Sequence, residues 1–300
     1  MSDAVAVVDL GGDRSAIDAE LARVIPPASD ELAPPLADAV RYALRGAGKR
    51  LRGMLLLAAY RAVGGTGDAV ALAGAAEMLH AYSLVHDDLP CMDDDDVRRG
   101  RPTTHRAFGV PAATVGGVVM IPLAAREIAR ACARLGCDDE STRAVMRELM
   151  TAVGVRGMIG GQLADLAAEE TPAESEAALD AIHRRKTGAL IAACARAGAL
   201  AGGGSAAAVE TLGGFASDLG LAFQIVDDVL DVTRTSTELG KTAGRDVALG
   251  KSTYPAAIGV DAAMERARSL SRDGCRRLAQ AGLLTPPLQY LAELVTTRTN

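Results

Sequence analysis

The sequence predicts an all-α protein, and three observations carry that expectation. Alanine, leucine, arginine and glutamate dominate, apolar residues recur at helical spacing, and runs of alternating β-branched residues are scarce. Read in order, residues 1–14 are expected to be a loose tail. They hold Asp3 and Asp9 but no basic start followed by a long apolar core, so no secretory signal is expected. From 15 to 300 a single domain is expected. Glycine or proline interrupts the helical pattern at 25–35, 64–68, 100–111, 136–141, 170–174, 202–206, 233–252 and 282–287, and the stretches between these breaks are expected as helices, ten or more in all. No break is long or low-complexity enough to be a linker. Pro122 falls inside a helix-patterned stretch and should kink or end it.

The 300 residues are 49% apolar, ample for a buried core. Apolar stretches at 112–125 and 188–204 are cut by Pro122 and Arg196, short of the roughly 18 uninterrupted apolar residues of a spanning helix, so a soluble protein with no membrane span is expected. Five cysteines, an odd number with no C-x-x-C pair, fit reduced thiols in a cytoplasm. The net charge of −6 gives no reason to expect nucleic acid, which a basic surface normally meets. Basic residues cluster locally instead, at Lys49, Arg50 and Arg52 and at Arg98, Arg99, Arg101 and Arg106. Such clusters suit a compact anion better than a polymer.

Two acidic clusters carry the chemistry. In the first, the apolar run Leu84-Val85 leads through His86 into Asp87-Asp88 and then Asp93 to Asp96; in the second, Asp227, Asp228 and Asp231 sit among Phe223, Ile225, Val226, Val229 and Leu230. Asp227 and Asp231 are one turn apart and share a face that Gln224 joins. Asp93 to Asp96 alone would read as a solvated acidic loop. Carboxylates embedded in an apolar helix are different, because they are costly unless neutralised, and two such groups ask for a shared partner. Magnesium answers, since it prefers oxygen ligands and accepts one or two carboxylates while substrate phosphates supply the rest. A phosphohydrolase built on His86-Asp87 would need further metal-binding histidines, and only His80, His105 and His183 remain, none suitably spaced. His105 and His183 are expected to be structural.

These residues resemble the trans-isoprenyl diphosphate synthases. The first aspartate-rich motif of that family stands as Asp87-Asp88-x4-Asp93 followed by Arg98-Arg99-Gly100-Arg101-Pro102, and the second as Asp227-Asp228-x2-Asp231. Gly48-Lys49-Arg50-Leu51-Arg52, Gly160-Gly161-Gln162, His183-Arg184-Arg185-Lys186-Thr187-Gly188 and Gly250-Lys251-Ser252-Thr253-Tyr254-Pro255 follow the family order. The resemblance implies the isoprenoid synthase fold, a single helical bundle around a deep apolar cavity, and a homodimer. It implies condensation of isopentenyl diphosphate with an allylic diphosphate. Three magnesium ions would be held by Asp87, Asp88, Asp93, Asp227, Asp228 and Asp231, helped by Arg98, Lys186 and Lys241, and would draw off the allylic diphosphate. Lys49, Arg52, His80 and Arg99 would anchor isopentenyl diphosphate without metal. Gln162 and Lys251 join the substrate-binding set. Thr187, Gln224 and the Lys186 carbonyl would surround the cation with weak dipoles.

In this family, bulky residues just before the first motif form the floor of the product tunnel. Tyr82 lies five residues before Asp87, about 7 Å deeper along a helix. A tyrosine there favours farnesyl diphosphate, C15, whereas Ser83 alone would leave room for geranylgeranyl diphosphate, C20. The expected product is C15, with C20 as the alternative. Departures from the family pattern are concentrated: Gly53 replaces the usual proline, Val110-Pro111 replaces an acidic residue and alanine, and Gly117 lacks the usual following aspartate or asparagine. They put the pocket wall and subunit contact of 110–125 in question. A class I terpene cyclase would steer cations with aromatic faces, yet the chain has no tryptophan, three phenylalanines and five tyrosines. A non-catalytic partner subunit would have lost its metal aspartates, and all are present.

Overall fold

The computed structural model describes residues 10–30, 32–46, 48–170, 175–235 and 252–298. In chain order the helices are α1 (Gly11–Asp30), α2 (Pro34–Leu44), α3 (Leu51–Ala62), α4 (Val70–Asp87), α5 (Thr104–Phe108), α6 (Val110–Leu135), α7 (Asp139–Val153), α8 (Met158–Glu170) and α9 (Glu176–His183). A π-helical turn, Arg184–Gly188, leads into α10 (Ala189–Ala201) and α11 (Ala206–Thr233), and α12 (Tyr254–Ile258), α13 (Val260–Gln280) and α14 (Pro286–Thr297) follow among the described residues.

Alanine, leucine, isoleucine and cysteine run all round α10, which makes it a buried helix by composition. It is accordingly surrounded, with α3, α7 and α11 packed against it. Gly198 permits the closest of these approaches, since a Cβ there would lie 2.2 Å from the Leu56 carbonyl oxygen of α3. Outside this centre α4 packs on α6, and α11 on α13. Polar caps fix several starts: Asp138, Ser175 and Ser205 accept the N–H of Ser141, Ala178 and Ala208, satisfying donors that a helix start otherwise leaves open. The result positions the C-terminal end of α4 and the last two turns of α11, the two aspartate-bearing segments, around the π-helical turn.

Among the described residues the all-α expectation meets one exception, a two-residue hairpin in which Val97 pairs with Pro102 and Arg98 with Arg101. Helix α1 begins at Gly11, inside the stretch expected as tail, and runs past Pro26 and Pro27 to Asp30. The stretch 141–170 is two helices separated at 154–157, and Gly259, at φ 82°, separates α12 from α13. Pro122 does not end α6, which continues through it for 26 residues. The carbonyl that loses its donor to Pro122 belongs to Val118, which is 53% exposed and so lies where water can replace the missing bond.

Candidate active site

Asp87 is the last residue of α4 and Asp88 its C-cap, so two carboxylates stand at the negative end of a largely buried helix. The Asp93 N–H donates to the Asp87 carbonyl at 2.8 Å, folding the loop back on the helix end. Burial pushes the Asp87 carboxyl above its ordinary range; nearby Lys186 and Arg98 oppose that shift, and Asp93 and Asp165 reinforce it. Asp88 turns elsewhere: Arg98 Nε donates to its Oδ1 at 2.6 Å, and burial still raises it to about 6.

On α11 the same division recurs. Asp228 is 3% exposed and accepts Gln224 Nε2 and the Tyr254 N–H, both at 3.1 Å, with His183 Nε2 at 3.7 Å from its Oδ2. Asp227 is one third exposed and pairs with Arg298, whose Nη1 donates to its Oδ1 at 2.9 Å while Nη2 donates to the Phe223 carbonyl. The Arg298 guanidinium also stacks 3.8 Å over the Phe223 ring. Asp231, one turn further on, is buried. Of the six aspartates expected as metal ligands, Asp88, Asp227 and Asp228 each accept a protein donor in this structure. All six offer hard oxygen donors without sulfur or nitrogen, a set that fits magnesium.

The π-helical turn brings the two clusters together. Lys186 faces Asp87 and pairs through Nζ with Asp165 Oδ2 of α8 at 2.5 Å. The next residue, Thr187, donates to Gln224 Oε1 of α11 at 3.0 Å. Adjacent residues thus address opposite walls, a use that fits the frequency of π-turns at functional sites. Gly161 explains the Gly160-Gly161-Gln162 motif, because a Cβ there would lie 2.2 Å from the Lys186 backbone nitrogen. Beside it, Gln162 is buried with both side-chain polar atoms lacking any hydrogen-bond partner.

A third group is cationic. Arg52 and His80 are partly buried, and desolvation depresses both; Arg52, Arg99, Arg98 and Arg50 press further on His80, which is left neutral. Lys49 is lowered by burial and by Arg298 and Arg99, with Asp227 opposing. Arg99 is lowered by burial and by Arg98 and Arg50. Mutual repulsion of this kind marks a place that an anion would relieve. Gly53 supports the group, donating its N–H to Glu77 Oε1 at 2.9 Å. A proline at this position could not make that bond.

Tyr82 is buried, donates its hydroxyl to the Val153 carbonyl at 3.1 Å and meets the His86 ring edge-on at 5.8 Å. Ser83 turns its hydroxyl back onto the His80 carbonyl. His86 in turn hydrogen-bonds the Thr114 carbonyl, and a Cβ at Gly117 would lie 2.1 Å from its Nε2, so the atypical glycine segment of α6 is shaped around His86. Lys241 and Lys251 lie outside the described residues. Sequence reading missed Asp165, although it follows Gln162 at i+3, and it missed Arg298, which no local pattern announces.

Fold and site together define a prenyltransferase, and comparison with known proteins agrees. The polyprenyl synthetase family model matches residues 33–279, and the chain belongs to that family. Among relatives, geranylgeranyl pyrophosphate synthase of Capsicum annuum is 42% identical over 88% of this chain and 71% of its own length. Among solved structures, an FPP/GFPP synthase from Zymomonas mobilis superposes with a TM-score of 0.82 at 31% identity, covering 96% of this chain and 99% of the other. A geranyltransferase from Helicobacter pylori, complexed with magnesium and isoprenyl diphosphate, gives 0.77 at 28% identity, over 94% and 96%. The chain is a short-chain prenyl diphosphate synthase.

Proposed function

We propose that the enzyme condenses isopentenyl diphosphate with an allylic diphosphate and that its principal product is geranylgeranyl diphosphate. The C15 product expected from Tyr82 gives way to C20, because the plant relative at 42% identity is a geranylgeranyl synthase. Tyr82 is drawn by its hydroxyl toward α7, and the small Ser83 folds onto its own helix, so neither forbids the longer tail.

What supports the reaction is that Lys186 acts on Asp87 while the adjacent Thr187 bonds Gln224, and that Lys49 feels both Asp227 and Arg99; we read Asp87 and Asp93 as one acidic wall, Asp227 and Asp231 as a second, and Lys49, Arg52, His80 and Arg99 as a cationic pocket beside them. We assign the four aspartates to three magnesium ions. Bound there, magnesium supplies the positive charge that makes diphosphate a leaving group. Lys186 and Arg98 add fixed charge on the same side. Lys49, Arg52 and Arg99 hold the second diphosphate, with neutral His80 as a hydrogen-bonding partner, so that this group is anchored and not expelled. Thr187 and Gln224, locked to each other, turn dipoles toward the developing carbocation without offering it a nucleophile. The isopentenyl double bond attacks C1 of the allylic cation, and the proton lost from C2 of the isopentenyl unit goes to the departed diphosphate.

Copies of the chain pair, in this reading, across α6. Among the described residues α6 is the one helix long and apolar enough to cross a membrane, yet Glu127 within it is buried and 44% of its apolar window lies inside the protein. Its exposed valines, Val115 and Val118, form a stripe suited to a second copy. The test of the product is chain length after incubation with isopentenyl diphosphate, magnesium and C5, C10 or C15 starters. C20 is expected from all three; termination at C15 would overturn the reading.

A further inference from the structure

We propose a second divalent-cation site, separate from the paired aspartate clusters, formed by Asp94, Asp96 and His105 where the acidic loop meets α5. One ring nitrogen of His105 and one carboxylate oxygen each from Asp94 and Asp96 all lie within 4.8 Å of one another. Donors on a single ion at bond lengths near 2.1 Å sit roughly 3 to 4 Å apart. Both carboxylates are exposed, so each can close the remaining distance by side-chain rotation.

The hydrogen bonds around His105 fix its tautomer. Thr103 has one hydroxyl hydrogen, and it goes to the Asp95 carbonyl at 2.7 Å. Toward His105 Nδ1, 3.1 Å away, the Thr103 oxygen can therefore only accept. Nδ1 carries the proton and Nε2 the lone pair. His105 is 5% exposed, and Nε2 is buried with no hydrogen-bond partner. A buried acceptor without a donor is costly. A ring whose one nitrogen is held as donor while the other is kept as a lone pair is how proteins prepare histidine for a metal.

The remaining contacts are compatible with an ion. Arg106 Nε engages Asp96 Oδ1 at 2.5 Å, which leaves the second oxygen of that carboxylate. Asp94 is held at φ 50°, in the left-handed region that non-glycine residues rarely enter. One imidazole and two carboxylates, completed by water, suit Zn²⁺, Mn²⁺ or Co²⁺ better than Mg²⁺, which favours all-oxygen sets. The site would staple the loop between Asp93 and the hairpin bearing Arg98 and Arg99 to the start of α5.

The test is titration of the full, chelator-treated chain with Co²⁺ in the absence of any diphosphate, read by visible d–d absorption. One equivalent should give a band that Zn²⁺ displaces and a large excess of Mg²⁺ does not. The band should survive in the Asp87→Asn/Asp227→Asn variant and vanish in His105→Gln. Because His105 is buried, the Asp94→Asn/Asp96→Asn variant, altered only at exposed positions, provides the parallel loss. Absence of saturable Co²⁺ binding, a band that persists without Asp94 and Asp96, or one that disappears with Asp87 and Asp227 would each overturn the proposal.

Discussion

Burial makes Asp87 expensive to ionise, and Lys186 and Arg98 offset the cost only in part. That imbalance is what a bound cation would remove, and on the opposite wall a cation would share Asp227 with Arg298. Asp87→Ala or Asp227→Ala should therefore lower kcat by about 10²-fold or more, the scale seen when an electrostatic stabiliser is lost. Steady-state turnover at saturating magnesium measures it. Asp88 makes a different prediction, since its carboxyl is raised to about 6 from an ordinary 3.8. Below pH 4 the folded and unfolded chains both carry that proton; between about 4 and 6 only the folded chain does. Stability from this group is thus complete at the acid end and is lost as pH rises through the window. Asp88→Asn cannot ionise, so in urea unfolding its stability relative to the parent should climb from pH 4 to pH 6.

At the scale of elements, Gly53 shows how a local departure is tied to a distant partner. Its N–H is the donor to Glu77, a 3% exposed carboxylate on α4 that also lies 3.7 Å from Arg50. Restoring the family proline should strip that donor and destabilise the protein by about 1–3 kcal/mol, the cost of an unsatisfied buried polar group. Chemical denaturation of Gly53→Pro checks this. Glu77 could not have been found from sequence, because it meets Gly53 only through the packing of α3 on α4. The helices themselves were legible, since apolar spacing and glycine or proline stops act within one element. The hairpin was not, as two-residue strands inside a run of aspartate and arginine have no period to read. Nor was the break at 154–157, where helical spacing on both sides conceals the turn. Within the site, the aspartate clusters could be read because they interrupt apolar helices, whereas Arg298 meets Asp227 across 71 residues and only the fold brings them together.

For the whole molecule the open question is what covers α6. Val115 and Val118 are 49% and 53% exposed and one turn apart, on a helix whose other side is fixed by α4 and by the fit of Gly117 around His86. The atypical segment therefore does two things at once: its inner side shapes the wall beside His86, and its outer side presents branched apolar residues where a monomer would normally place charge. In a twofold pair the same patch meets itself, so any charge introduced there is brought close to its own copy. Val115→Glu/Val118→Glu changes only exposed positions and should leave helix content by circular dichroism unaltered. Four carboxylates confined to one desolvated seam should separate the pair, and sedimentation velocity should move from a dimer to a species of about half the mass. A variant that sediments as the parent does would place the contact on another face.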